Sequence, residues 1–96
     1  MRRVEYSASV ESDLDEIAAY IGADNPRRAV TFLREIREEI DRIGKAPKLH
    51  QLRPDIGPDA RLAVVGRYVI LYRMAGATVY VERVVHGNRL LPPLFQ

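Results

Sequence analysis

Arg61-Leu-Ala-Val-Val65-Gly-Arg67-Tyr-Val-Ile-Leu-Tyr72-Arg-Met74-Ala-Gly-Ala-Thr78-Val-Tyr-Val-Glu-Arg-Val-Val85-His-Gly-Asn-Arg89 is built mainly from Val, Ile and Tyr, the residues that suit a pleated, half-buried surface. Its punctuation predicts three strands, Arg61 to Val65, Arg67 to Met74 and Thr78 to Val85. Gly66 separates the first two and Ala75-Gly76-Ala77 the second and third. Gaps this short admit only antiparallel hairpins. In the second strand Tyr68, Ile70 and Tyr72 share one face, with Val69 and Leu71 on the other. In the third, Val79, Val81 and Val85 share a face, with Tyr80 and Val84 opposite. Both faces are therefore apolar, as in strands covered on two sides. The third strand runs out into His86-Gly87-Asn88-Arg89, a polar segment directly after buried aliphatics. That junction is where function is expected.

Upstream, Arg2 to Ser7 is a short strand with Val4 and Tyr6 on one face. A helix is predicted from Val10 to Ala23, capped by Ser7 or Ser9, with Val10, Leu14, Ile17, Ala18 and Ile21 as its apolar stripe. Glu11, Asp13, Asp15 and Glu16 load its first turns. Negative charge suits the positive end of a helix dipole, and a solvated helix start explains the cluster without catalysis. Asp24-Asn25-Pro26 is a stop and restart, with Asn25 as cap and Pro26 at the first helical position. The second helix runs to about Ile43 on Ala29, Phe32, Leu33, Ile36, Ile40 and Ile43; Gly44 fits its C-cap and Pro47 follows. So short a link makes the two helices an antiparallel hairpin.

Residues 46–60 hold Pro47, Pro54, Pro58 and Gly57 without periodicity and read as a loop, with His50 an ordinary loop histidine. One hairpin covers one sheet face. Leu90, Leu91, Leu94 and Phe95 supply part of the second cover, although Pro92-Pro93 forbids a regular helix there. What stays open is an apolar patch, the usual mark of a binding surface.

Ninety-six residues form one domain, 1–96, with room for one modest core. The apolar and charged fractions, 47% and 29%, are those of a globular protein. No apolar run approaches the roughly eighteen residues of a membrane span. Met1-Arg2-Arg3 leads into Val-Glu-Tyr rather than an apolar signal core, so a cytoplasmic protein is expected. With no cysteine and two distant histidines, neither a disulfide, a metal nor a cofactor is expected. Residues 1–45 carry eight Arg and Lys against ten Asp and Glu, a balance of −2; residues 46–96 carry seven against three, or +4. Ordinary surface decoration accounts for a balance this small, and direct nucleic-acid binding is not expected.

The order strand, helix, helix, loop and three antiparallel strands, an α+β arrangement, resembles the RelE/ParE superfamily of bacterial toxins. Asp13-Leu14-Asp15-Glu16-Ile17-Ala18-Ala19-Tyr20-Ile21 is similar to the family's first helix, and Asn25-Pro26 with Ala29 and Phe32 to the start of its second. Pro47 falls where a family proline follows that helix. Tyr68 to Arg73 resembles the central strand, and Arg83-Val-Val-His86-Gly-Asn88-Arg89 the signature of the ParE branch. The likeness spans essentially the whole chain.

That resemblance implies the toxin of a type II toxin–antitoxin pair, neutralised by a ParD-like antitoxin that alone contacts operator DNA. In ribosome-dependent RNase relatives a basic residue directly follows the residue like Tyr68; here it is Val69. The ParE branch, which poisons DNA gyrase by binding, is therefore the expected one. The RNase reading keeps His86 and Arg89 as its catalytic pair, imidazole being the side chain that titrates near neutrality. A non-toxic interaction module is the third reading. On the ParE reading the target meets Arg83, His86, Asn88, Arg89, Leu91, Leu94 and Phe95. The antitoxin is expected on Leu14, Ile21, Phe32, Ile36, Tyr68, Ile70 and Tyr72.

Overall fold

The computed structural model describes residues 3–90 of the chain. Strand β1 spans Arg3–Tyr6, helix α1 Ala8–Gly22, helix α2 Pro26–Lys45, and a short 3-10 turn Pro47–Leu49. Strands β2 (Arg61–Val65), β3 (Tyr68–Ala75) and β4 (Thr78–His86) follow, and a second 3-10 turn covers Gly87–Leu90. The four strands make one sheet in the order β1-β4-β3-β2. β2, β3 and β4 form the expected antiparallel meander, and β1 lies parallel to β4 at one edge.

The helical hairpin packs on one face of this sheet. Its stripe of Val10, Leu14, Ile17, Phe32, Ile36, Ile40 and Ile43 meets Ala63, Ile70, Tyr72, Val79, Val81 and Val84. Each large aliphatic side chain buried there stabilises by roughly 1.5–3 kcal/mol, and this core is the main force holding the fold. Helix α2 starts as the sequence indicates: Asn25 Oδ1 accepts the Arg28 N–H at 3.1 Å with Pro26 in the first turn. Both hairpins close in two residues. Gly66 in the first has φ +58°, a left-handed conformation that side-chain-bearing residues avoid.

Three local expectations are corrected. Helix α2 does not stop at Ile43 but continues through Gly44 to Lys45. Gly44 is there for close approach, since a Cβ on it would lie 2.8 Å from Val4 Cγ2 of β1. Ser7 does precede α1, yet its hydroxyl donates to the Glu82 carbonyl of β4 at 2.7 Å instead of capping its own helix. The third correction is a β-bulge. Leu71 pairs with Arg83 and Tyr72 with Val81, so Glu82 is an extra residue in β4. The bulge reverses the alternation beyond it. Val84, not Val85, joins Val79 and Val81 in the core, while Val85 turns to the outer face opposite Val69. The loop after α2 is tied down where the Tyr72 hydroxyl donates to the Pro47 carbonyl at 2.5 Å.

Candidate binding cleft and the identity of the chain

The site arises from a mismatch in strand length. β1 ends at Tyr6 opposite Val81, but β4 runs five residues further, to His86. Past Tyr6 the chain turns into α1, leaving the exposed edge of β4 without a strand. A buried backbone N–H there needs an acceptor. Asp13 of α1 supplies it: its Oδ2 accepts the Val84 N–H at 2.9 Å. The same carboxylate takes a two-pronged contact from Arg83, Nε at 2.8 Å and Nη2 at 2.9 Å. Asp13 is only 5% exposed. It is therefore no solvated helix-start carboxylate, contrary to the reading of the sequence. Its hydrogen bond holds the Arg83 guanidinium firmly charged, pushing its pKa above the usual arginine value.

Beside this lock lies a cleft of about 160 Å³. Asp13, Glu16, Ile17 and Tyr20 form its α1 wall; Val84, Val85, His86 and Arg89 form the other, with Tyr68 between. His86 stands edge-on to Tyr68 with ring centroids 5.4 Å apart, and Tyr68 in turn packs on Phe32 at 5.5 Å. The His86 Nδ1 accepts the Asn88 N–H at 3.2 Å, leaving Nε2 to carry the proton in the neutral ring. Tyr20, 69% exposed, lines the cleft from α1. A second depression, about 530 Å³, lies on the outer face at the β2 edge. It includes Leu49, Leu62, Val64 and Val69, of which Leu49 and Val64 are 83% and 68% exposed.

The structure redistributes the predicted residues. His86 and Arg89 share the cleft, and Asn88 is exposed beside them. Arg83 is spent on Asp13. Leu91, Leu94 and Phe95 lie outside the described residues. Of the residues expected to meet the antitoxin, Leu14, Phe32, Ile36, Ile70 and Tyr72 are buried between hairpin and sheet and cannot touch a partner of the folded chain. Ile21 and Tyr68 are partly exposed. Tyr20 and Asp13 were missed as site residues, although their spacing with Glu16 and Ile17 places all four along one side of α1. Among the described residues no group of three or more acidic or histidine side chains could hold a metal ion. No helix among them is long and apolar enough to cross a membrane.

A helical hairpin on one face of a four-stranded sheet of order β1-β4-β3-β2 is an α+β arrangement of the ParE-like kind. Residues 4–91 match the family described as the ParE toxin of the type II toxin–antitoxin system parDE, and the chain belongs to that family. A chain from the chromosomal ParDE toxin–antitoxin system of P. aeruginosa is similar in fold, with a TM-score of 0.79 over 90% of this chain and 96% of that one. Its identity of 18% makes this a likeness of fold alone. No curated protein matches the chain.

Proposed function

We propose that this ParE toxin, acting as a single cytoplasmic domain, inhibits DNA gyrase by direct binding, and that a cognate ParD-like antitoxin neutralises it. Operator DNA is reached only through the antitoxin. The observation that carries the reading is the chemistry of the cleft. Cutting RNA by attack of its own 2′-hydroxyl needs an acid, a base and cations placed at the scissile phosphate. Val69, directly after Tyr68, turns to the outer face opposite Val85 and brings no cation to the cleft. Glu16 stands in the lining with Arg89, and the Asp13 charge is met by Arg83. Such a lining gives little help to a phosphodiester. It suits a protein surface better, with an exposed tyrosine, an arginine and a histidine at one opening. The target is expected at His86, Asn88, Arg89 and the following Leu91, Leu94 and Phe95. The antitoxin is assigned to the outer depression, where Leu49 and Val64 offer apolar anchors.

The test compares purified toxin in a gyrase supercoiling assay and in translation-dependent mRNA cleavage. Inhibition of supercoiling without cleavage supports the proposal. Codon-positioned cleavage that vanishes with His86→Ala or Arg89→Ala would replace it with the RNase reading, which the shared placement of Tyr68, His86 and Arg89 keeps as the alternative.

A further inference from the structure

Asp13 is the one charged residue buried among the described residues, and gyrase binding at the cleft gives it no task of its own. Buried ion pairs contribute little net stability, because desolvation offsets the attraction, and a well-packed apolar residue often does as well. What an apolar residue could not do at position 13 is therefore informative. Leucine would leave the Val84 N–H without an acceptor and would release Arg83, which is partly exposed.

The side-chain hydrogen bonds that join α1 to β4 beyond the bulge all run through Asp13 among the described residues. Those two elements are the walls of the cleft. On α1, Glu16 and Tyr20 lie one and two turns beyond Asp13. On β4, His86 lies two residues beyond Val84, and Arg89 follows in the terminal turn. A lock that ties the two walls together governs how far apart they stand.

We propose that Asp13 is a positioning residue: by holding Val84 and Arg83 it sets the spacing between Tyr20 on α1 and His86 and Arg89 on β4, and so keeps the cleft in the shape its target engages. The proposal rests on the reading of this cleft as the target-binding site. The ion pair acts through geometry and touches no target atom itself.

The experiment uses the full chain with Asp13→Asn, Arg83→Lys and Asp13→Leu. Asparagine keeps a carbonyl for the Val84 N–H but loses the charge that grips Arg83; lysine keeps the charge but loses the fork. Three readouts are taken at a temperature where each variant is folded by circular dichroism: backbone amide shifts of His86, Asn88 and Arg89, the concentration that halves gyrase supercoiling, and antitoxin Kd. For Asp13→Asn the amide shifts move and the inhibitory concentration rises about tenfold or more. Antitoxin Kd stays within about threefold, because neither Asp13 nor Arg83 lines the outer depression. Arg83→Lys retains part of the inhibition and moves the amide shifts of His86 to Arg89 less than Asp13→Asn does.

A folded Asp13→Asn protein with unmoved shifts at His86 to Arg89 overturns the proposal. So does a loss of gyrase and antitoxin binding in equal proportion. If the unsubstituted toxin leaves gyrase untouched, the gyrase reading falls, and the amide shifts alone then decide whether Asp13 positions the cleft. Asp13→Leu shows the effect of losing the acceptor; should it fail to fold, Asp13→Asn and Arg83→Lys decide the matter between them.

Discussion

Raising the pH should destabilise this protein through Tyr72. Its side chain is fully buried, with the hydroxyl donating to the Pro47 carbonyl at 2.5 Å. Burial pushes the phenol up to about 12; nearby Arg61 opposes that and Glu39 adds to it. In the unfolded chain it ionises near 10. Between those values the native state keeps a proton that the unfolded state has lost, so stability falls as pH rises. The contribution is fully present below about pH 10 and gone above about 12. Two pKa units correspond to about 2.7 kcal/mol. Tyr6 and Tyr68, also raised chiefly by burial, add in the same direction. Urea unfolding followed by circular dichroism from pH 8 to 11.5 measures the loss. Tyr72→Phe is the control. At pH 8 it loses about 1–3 kcal/mol, because the Pro47 carbonyl is left without its donor. Above pH 10 its stability declines less steeply than that of the parent. Every other group is the same in both proteins, so the difference between the curves isolates Tyr72. Parallel curves would refute the reasoning.

Gly44→Ala should destabilise by about 1 kcal/mol despite a helix-propensity gain of similar size, because the new Cβ meets Val4 Cγ2 at 2.8 Å. Faster amide exchange in β1 would locate the damage, and a rise in melting temperature would contradict it. Asn25→Ala removes the acceptor for the Arg28 N–H and should cost about 0.5–2 kcal/mol in thermal or urea unfolding; no change would mean that the cap is idle. Deleting residues 91–96 should abolish gyrase inhibition while the protein stays folded and still binds antitoxin. A collapsed melting transition would show instead that these residues belong to the core.

The parts of this fold legible in the sequence are those set by neighbours in the chain. Gly66 and Gly76 mark two hairpins, Asn25-Pro26 restarts a helix, and the apolar stripes of α1 and α2 name most of the core. The rest depends on registers between distant residues. Nothing in Arg3 to Tyr6 says that this strand lies parallel to Thr78–Val81. The bulge left a trace, two adjacent charged residues, Glu82 and Arg83, between valines. Strict alternation reads through such a trace and puts Val85 in place of Val84. Asp13 was illegible for a related reason. Alone among four neighbouring carboxylates it meets a backbone N–H seventy-one positions away, and the sequence does not distinguish it from Glu11 or Asp15.

The same registers make the cleft on which both the binding reading and the RNA-cutting reading turn. The end of β4 outruns β1, so a cleft forms beside His86 whatever lines it. What that cleft does is decided by a few side chains. With a cation at position 69 the side chain would point to the outer face, where Val69 now packs opposite Val85. Exchanging it for an arginine would bury part of that stem and bring a charge next to the Gly87 end of β4. With valine the outer face stays apolar and Arg89 is left as the cation of the cleft that Asp13 does not hold. The reading as a binding toxin therefore rests less on His86, which either chemistry could use, than on a cleft lining in which Arg89 stands beside Glu16 and the Asp13 carboxylate is taken by Arg83. Val69→Arg on its own should then leave mRNA uncut, because an arginine there faces the outer depression and not the cleft that holds His86 and Glu16. Cleavage by that single variant would mean that the rest of the catalytic apparatus was already in place.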